Sequence, residues 1–509
     1  MPDRLRLILG VKLRALRQER GLGLKALAQK AGLSVSYLSE IEQGKKYPKP
    51  DKIVDLSVAL GVPYDDLVSL RVDKGLGAVK EVIESPLLRG FPFDLFGVDA
   101  ESVVRLLSPD KAGALVQAVG DVTRAYDARV EDLLLAALRA YQQMHANRFP
   151  DLEAAAERLR ERLGIEGVPD AARLRGVLER EHGYRVETDT LPGHPELGAF
   201  RSVLSQGGAG PAGGAQAAGG AVLHVNGALR DEQLAFLYAR ELAFLELAPD
   251  DRPLASPWVR AERFGQVLAN FEASYLAGAL LLPAAEIDAV LLAQADAERW
   301  DPAAFLALLD RYRSTPEMLF HRLTQRVPEA LGIDELYFLR FHHETTTDRV
   351  ELTKTFNLSR VPVPHGVSAG EHYCRRWPAL QALAALDARQ RTAAGRGGTD
   401  DGPAVVAQRQ HFVAGTAGDA EPADFFVLAV ARPLSLRPGV NSAVSLGLRL
   451  TRATKRAVRF WDDPALPRLD VSLTCERCPI ADCRVRAAPP TALREAEAEA
   501  GRRAALAAL

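Results

Sequence analysis

The stretch "LGLKALAQKAGLSVSYLSEIEQGKKYP", from Leu22 to Pro48, decides the fold of the first part of the chain. Its apolar residues recur at helical spacing on both sides of Gly32, a residue suited to a tight turn between two helices. Ser34 stands where its hydroxyl can cap the second helix. A helix, a turn that contains glycine and a capped second helix predict a helix-turn-helix.

The outer face of the capped helix is the predicted contact with DNA. When Leu38 and Ile41 point inward, side chains at the start of the helix reach base edges in a major groove, and others lie beside phosphates. Residues 1–50 hold 11 Lys and Arg against 4 Asp and Glu, which favours a polyanion as partner. The predicted contacts are Val35, Ser36 and Glu40 with bases, and Tyr37, Gln43, Lys45 and Lys46 with phosphates.

The segment "LSVSYLSEIEQGKKYP" resembles the XRE (phage-repressor-like) helix-turn-helix family, and the resemblance covers residues 1–70. It implies a double-stranded DNA operator as partner. The chain departs from the family at Leu24, where the family usually places a glutamine that clamps a phosphate. The alternative interpretation is an arginine-rich pair of surface helices that binds protein.

The composition is that of a globular protein. Hydrophobic residues make up 47% of the 509 residues, charged residues make up 26%, and the formal net charge is -2. No apolar run approaches the roughly 20 residues that span a bilayer, and charged residues interrupt the N-terminal segment too often for a signal peptide. These features predict a cytoplasmic protein without a membrane partner. In a reducing compartment, its four cysteines favour metal or redox chemistry over disulfides.

The predicted fold is multidomain and mainly α, with an N-terminal helix-turn-helix and an α+β middle and C-terminal region. Amphipathic helices, then short strands around a Gly/Ala-rich loop, and then longer strands suggest the domain boundaries. The predicted domains are 1–70 for DNA binding, 71–165 as a helical linker or dimerisation region, 166–335 as a degenerate peptidase-like domain, 336–490 as a regulatory domain, and 491–509 as a helical tail.

The middle of the chain resembles the ImmA/IrrE metallopeptidase-like domain in "LHVNGALRDEQLAFLYARELAFLEL" and "FEASYLAGALLLP". Active members carry H-E-x-x-H, which grips zinc with two histidines and polarises water with the glutamate. Here Arg240 and Phe244 replace the histidines, Glu241 remains, and Glu272 matches the third ligand. An arginine repels zinc and a phenylalanine does not coordinate it, so we expect a scaffold without catalytic activity.

Two alternatives concern the same motif. Arg240 can neutralise Glu241 or Glu272, and His224 or His321 can in principle complete a metal site, although their spacing does not support it.

The four cysteines follow the pattern C…C-x2-C-x4-C, with Cys374 far upstream of Cys475, Cys478 and Cys483. Soft thiolate ligands suit zinc or an iron-sulfur cluster. One isolated and three gathered cysteines favour a [4Fe-4S] cluster, because zinc more often binds two paired knuckles. The remaining alternatives are a buried, apolar Cys374 and a C-terminal redox pair.

Together these parts resemble the short-chain fatty-acid transcriptional regulators along nearly the whole chain. The loops at Ser205–Gly220 and Arg391–Gly402 are less family-like. The resemblance implies control of genes for propionate, acetate or glyoxylate metabolism, an acyl-CoA effector and, in some relatives, a [4Fe-4S] cluster. A two-fold symmetric operator and a homodimer or higher homo-oligomer are expected. Two alternatives stay open, a redox-sensing regulator without a thioester ligand and a regulator with residual metallopeptidase activity. Arg340, His343 and Lys354 lie in a plausible effector region.

Overall fold

The computed structural model describes residues 2–42, 45–68, 95, 130–205, 221–257, 261, 263–359, 361–364, 370–413 and 422–508. Predicted features at Gln43 and residues 206–220 lie outside these ranges, as does most of the predicted linker before residue 130. The described helices are α1 (Pro2–Glu19), α2 (Leu24–Lys30), α3 (Val35–Glu42), α4 (Pro50–Leu60), α5 (Tyr64–Val68), α6 (Val130–Met144), α7 (Pro150–Arg162), α8 (Ala171–His182), α9 (Asp231–Leu247), α10 (Phe264–Leu281), α11 (Ala284–Ala295), α12 (Pro302–Arg311), α13 (Pro316–Leu331), α14 (Pro378–Ala394), α15 (Arg452–Ala457) and α16 (Thr491–Ala507).

The described strands form two sheets. They are β1 (Arg185–Glu187), β2 (Ser202–Ser205), β3 (Val222–Val225), β4 (Ala255–Ser256), β5 (Leu336–Glu344), β6 (Arg349–Asn357), β7 (Ala404–Phe412), β8 (Ala423–Pro433), β9 (Val440–Arg449) and β10 (Arg468–Val471). The first sheet has the order β1-β3-β2-β4, and the second has the order β10-β7-β8-β9-β5-β6. This arrangement confirms the predicted multidomain fold, with a helix-turn-helix followed by α+β regions.

The chain divides into two compact units, residues 1–141 with 260–267 and residues 142–259 with 268–509. In the first unit, helices α1 to α5 enclose a small apolar core that includes Leu13, Leu27, Leu38 and Ile41. The predicted turn is present, because Gly32 adopts a left-handed φ of 63° between α2 and α3.

In the second unit, the small sheet and the helices from α7 to α13 share one apolar core. Strand β3 runs parallel to β1 and antiparallel to β2, and helix α9 packs on α8. Arg322 on α13 donates to both carboxylate oxygens of Glu153 on α7, at 2.6 and 2.8 Å. Its Nε also donates to the carbonyl of Leu282, and the Tyr275 hydroxyl donates to Glu153. This network joins α7, α10 and α13.

The six-stranded sheet of the second unit is covered on both faces. Helix α14 packs on the face that carries Tyr337 and Leu339, whereas Phe338 and Leu446 on the other face join the core around α13. Strands β8 and β9 are therefore apolar along most of their length. Gly447 leaves room for the Tyr337 ring, since a Cβ there would lie 2.2 Å from a ring carbon.

Two features of this region differ from the sequence-based expectation. The segment "GEHYCRRWPALQALAAL" predicts a helix that opens with Cys374, whereas helix α14 begins at Pro378, so Cys374 lies before the helix. Helix α14 also extends to Ala394 into the segment expected to be a loop insertion. The tail helix α16 is present as predicted.

Within the ranges given above, no single helix is both long enough and apolar enough to cross a membrane. The pair α10 and α11 meets the length and composition criteria only jointly, and the two are bent by 70°.

Candidate functional site

The start of helix α3 forms an exposed face that can enter a groove. The Ser34 hydroxyl accepts a hydrogen bond from the Tyr37 backbone N–H at 3.1 Å, as expected of an N-cap. Leu38 and Ile41 are fully buried, whereas Val35 is 43% exposed and Ser36 is also exposed. The structure therefore places Val35 and Ser36 on the outer surface, as the predicted base contacts require.

The basic segment after α3 is also exposed, but one of its cations is already paired. Lys46 lies 2.8 Å from the Glu40 carboxylate, and its ammonium lies 5.8 Å from the centroid of the Tyr37 ring. The Glu40 hydrogen bond raises the pKa of Lys46, so the side chain stays cationic. Lys45 is exposed beside it. Glu40 is thus held by Lys46, and binding of Lys46 to a phosphate would release Glu40 for other contacts.

A buried ion pair fixes α3 against α1. Arg17 donates from Nε and Nη2 to the two carboxylate oxygens of Glu42 at 2.6 and 2.8 Å, and from Nη1 to the carbonyl of Leu22. The Glu42 hydrogen bond raises the pKa of Arg17. Since a bidentate pair has a defined geometry, α3 is held rigidly relative to α1.

The replaced peptidase motif lies on α9 in the interior of the second unit. Glu241 accepts a hydrogen bond from Arg252 at 2.7 Å, and the Arg252 guanidinium lies 4.4 Å from the centroid of the Phe244 ring. Arg240 donates to the Ser202 hydroxyl at 3.4 Å, and its guanidinium lies 6.0 Å from the centroid of the Phe244 ring. The hydrogen-bonded partner of Glu241 is therefore Arg252, whereas Arg240 acts on Glu241 through its charge.

The other polar residues proposed for this motif lie on different elements and have different neighbours. His224 on β3 contacts the Ser205 hydroxyl at 3.0 Å, and His321 on α13 stacks on Phe338 with 4.4 Å between centroids. Burial raises the pKa of Glu272. Within the described ranges, no three His, Cys, Asp or Glu side chains are arranged to hold a metal ion.

The four cysteines come from two segments that pair with each other. An isolated antiparallel bridge joins Tyr373 to Thr474. The Cys374 N–H donates to the carbonyl of Leu473 at 3.2 Å, and the Cys475 N–H donates to the carbonyl of His372 at 2.8 Å. This bridge carries Cys374 to the C-terminal cysteines across about a hundred residues of sequence.

All four cysteines are free thiols, and Cys374, Cys475 and Cys478 are buried. Burial raises the pKa of Cys374 to about 11, and the neighbouring Cys478 and Cys475 add to the rise. Burial likewise raises the pKa of Cys478, with a contribution from Cys483. Cys374, Cys475 and Cys478 are therefore buried near one another, and Cys483 is partly exposed near Cys478.

Hydrogen bonds from the chain after Cys483 hold the cysteine loop in shape. Arg486 donates to the carbonyls of Cys475 at 2.9 Å and of Ile480. The Ala487 backbone N–H points at the sulfur of Cys475 at 3.3 Å. Such N–H···S contacts stabilise a thiolate and tune the potential of a metal centre.

Arg340, His343 and Lys354 do not form one cluster. Arg340 and Lys354 lie side by side on β5 and β6, and both bind Glu317 at 2.7 Å. His343 points to the opposite face, where it lies 2.8 Å from Asp387. Glu317 was not among the predicted site residues, and its only signal in the sequence is its place in the first turn of α13.

Comparison with known proteins identifies two domains. A helix-turn-helix domain family matches residues 8–70, and the IrrE N-terminal-like domain family, a group of M78 peptidases, matches residues 190–324. The chain contains a helix-turn-helix domain and an IrrE-like domain. The first implies DNA binding by a regulator of transcription.

Among solved structures, a Mycobacterium tuberculosis transcriptional regulator is 21% identical to this chain. The superposition covers 69% of this chain and 92% of that one, with a TM-score of 0.44. No curated protein matches the chain.

Proposed function

We propose that this regulator binds a two-fold symmetric operator through α3 and controls genes of short-chain fatty-acid metabolism. A short-chain acyl-CoA and a cysteine-held metal centre gate its activity. The observation that carries the DNA-binding part is the capped, exposed start of α3 beside a basic segment. The effector and its genes rest on the family resemblance.

Salt dependence of operator binding tests the docking face. Changing Lys45 and Lys46 to alanine removes two cations beside the backbone, so affinity falls for all sequences and the slope of log K against log salt decreases by about 2. Lys52→Ala is the matched control, because Lys52 is also an ion-paired lysine but lies on α4. An unchanged slope in the double variant would show that DNA docks elsewhere.

The IrrE-like domain serves as a scaffold rather than a peptidase. Glu241 is neutralised by Arg252, and the places of the two histidines are taken by a cation and an aromatic ring. A carboxylate held by an arginine is a poor base for activating water. Zinc-dependent proteolysis by the purified chain, abolished by Glu241→Gln, would instead support the regulator with residual peptidase activity.

The effector proposal is tested by calorimetry on the folded protein with acetyl-, propionyl- and butyryl-CoA. Saturable heat with at least one of them, together with a change in operator affinity, supports the proposal. Absence of heat with all three, while operator binding responds to oxidation, would favour the redox-sensing regulator without a thioester ligand.

The cysteine region offers soft thiolate donors for a metal centre, although the side chains of the described residues are not drawn together into a metal-binding geometry in this structure. Four free thiols come from two paired segments, and an N–H group already points at the sulfur of Cys475. Cys374, Cys475, Cys478 and Cys483 would hold a [4Fe-4S] cluster, or zinc as the alternative. A cluster supplies one-electron redox chemistry when bound, and the protein residues orient the thiols and exclude water.

A further inference from the structure

A group of ionised side chains lies where the large sheet meets the starts of two helices in the second unit. We call it the charged recess and define it by Glu317, His321, Arg340, His342, Lys354 and Arg432. Its geometry follows from the register of the sheet. Arg340 pairs with Lys354 across β5 and β6, and in the neighbouring row Arg432 and His342 flank Ser442 on β9.

Glu317 is the anion at the centre of the charged recess. Its Oε1 atom accepts hydrogen bonds from Arg340 Nη1 and Lys354 Nζ, both at 2.7 Å, and lies 3.7 Å from His321 Nε2. Burial alone would raise the pKa of Glu317, but Arg340 and Lys354 hold it well below its usual range. One carboxylate oxygen therefore serves two cations.

The charged recess is open to solvent although protein surrounds it. Lys354 keeps 47% of its side-chain surface accessible. Burial by the surrounding protein nevertheless has the largest effect on the pKa of Lys354 and lowers it. A ligand can therefore reach Lys354 from solvent.

His342 presents unsatisfied hydrogen-bonding groups. Both of its ring nitrogens are buried without a hydrogen-bond partner in the described structure. Burial, reinforced by Arg340, lowers the pKa of His342 to about 3, so the ring is neutral and offers one donor and one acceptor. Because buried polar groups are normally paired, these nitrogens indicate a ligand.

The charges around the charged recess do not balance. Arg201 and Arg437 lie close enough to depress the pKa of His342, and Arg230 acts in the same way on Arg432. Arg432 has Glu232 as a carboxylate partner at 3.3 Å. The cations are Arg201, Arg230, Arg340, Lys354, Arg432 and Arg437, and the carboxylates are Glu232, Glu317 and Glu351.

Arg240 extends the excess of positive charge toward the replaced peptidase motif. It is buried, its Nε has no hydrogen-bond partner among the described atoms, and Arg201 lies near both Arg240 and His342. Arg240 keeps the Ser202 hydroxyl and the nearby Glu241 carboxylate as partners, so the excess of positive charge beside it comes from Arg201 and Arg252.

We propose that the charged recess binds an oxyanion, a carboxylate or phosphate group of a small organic ligand, and that Glu317 occupies the same cations until the ligand displaces it. Arg340 and Lys354 bind the oxyanion, and His342 binds a neutral polar group of the same molecule. The proposal deepens the proposed effector function and rests on it for the biological role of the ligand. The binding chemistry stands on the site itself.

Calorimetry with four probes distinguishes the sources of the oxyanion. The probes are inorganic phosphate, propionate, free CoA and propionyl-CoA. Changing Arg340 and Lys354 to glutamine should weaken the binding probe about tenfold or more, because two charge-assisted hydrogen bonds are lost. Glu317→Gln should tighten it, since the competing carboxylate is removed while the residue keeps its size. Arg175→Gln, at an exposed ion pair on α8, is the control and should change nothing.

A second measurement uses the unaltered protein and therefore does not depend on whether a variant folds. Histidine ring resonances of the unaltered protein should respond to the binding probe at His342, whose nitrogens gain a partner, and not at His411 on β7, which pairs with Asp424.

The outcomes separate this inference from the proposed function. Binding of propionyl-CoA that is unaffected by the double glutamine variant, with an unshifted His342, overturns the oxyanion site but leaves the effector proposal intact. Binding of phosphate or propionate that needs Arg340 and Lys354, without any acyl-CoA binding, supports the site and overturns the effector. A weaker complex with Glu317→Gln contradicts the proposed displacement.

Discussion

At the scale of single residues, Arg322 places a buried positive charge in the helical core. Its side chain has no accessible surface, and it satisfies Glu153 with a bidentate contact as well as a main-chain carbonyl. A buried pair of this kind adds little compared with apolar packing, but breaking it leaves an uncompensated charge.

We therefore predict that Arg322→Met destabilises the second unit by about 3 to 5 kcal/mol, because Glu153 stays buried without its main partner. Urea unfolding followed by fluorescence measures the change. Arg503→Met, which breaks an exposed pair with Glu499 on α16, is the control and should cost less than about 0.5 kcal/mol. Equal losses in the two variants would mean that the Arg322 contact adds nothing to stability.

The same pair predicts how stability depends on pH. Burial would raise the pKa of Glu153, but Arg322 and Tyr275 lower it overall. A depressed pKa in the folded state stabilises the protein above the unfolded-state pKa of about 4.3, and this contribution is lost as pH falls through the folded-state value. Glu153→Gln should flatten the acid side of a plot of stability against pH. A variant with the same acid slope as the unaltered protein would contradict this.

At the scale of residues, sequence patterns show which side chains are unusual but not which side chains they contact. The replacement of both zinc ligands was readable from Arg240 and Phe244. The partner Arg252 was not, because it lies in a loop after α9 whose path depends on the whole domain. Glu317 and His342 belong to different elements, so no spacing rule connects them.

At the scale of elements, the helix-turn-helix shows how local signals determine structure. The apolar period, the left-handed Gly32 and the Ser34 cap all act within a few residues, and the structure follows them. Strand β10 has four residues and pairs with β7, from which it is distant in sequence. Such non-local pairing leaves little trace in either segment, and neither strand was predicted.

The N-cap of α3 provides a prediction at this scale. Ser34→Ala removes the acceptor for the Tyr37 amide and should destabilise the start of α3 by about 1 kcal/mol. Hydrogen exchange at the Tyr37 amide, by mass spectrometry or NMR, should become about fivefold faster at this cost. Ser36→Ala is the control, since the Ser36 hydroxyl contacts the Ser34 hydroxyl and caps no amide. Unchanged exchange at Tyr37 would mean that water replaces the cap without loss.

At the scale of the whole molecule, the charged recess and the cysteine region both depend on tertiary pairing. The sequence predicts one site for Cys374 and the other three cysteines because cysteine is scarce in the chain. It did not predict which contacts bring the two segments together. The Tyr373–Thr474 bridge and the bond from Trp377 Nε1 to the carbonyl of Ser472 at 2.8 Å bring the two segments together before any metal is considered.

A centre held by Cys374 together with the C-terminal cysteines depends on the pairing of these two segments. If the four cysteines hold one centre, Cys374→Ser should lose metal as completely as a change at Cys475, because a four-thiolate cluster needs all of its ligands. Protein purified without oxygen should be brown, with about four irons per chain, and the variant should be colourless.

Arg477→Gln is the matched control, since it removes the bidentate contact with Glu371 in the same segment and leaves every sulfur in place. It should keep its iron, which shows that the loss in Cys374→Ser comes from the missing thiolate and not from a loosened loop. About one zinc and no iron would make the centre structural and remove the redox input. Full metal content in Cys374→Ser would mean that the buried thiol, with its pKa of about 11, acts as an apolar core residue beside a three-cysteine site.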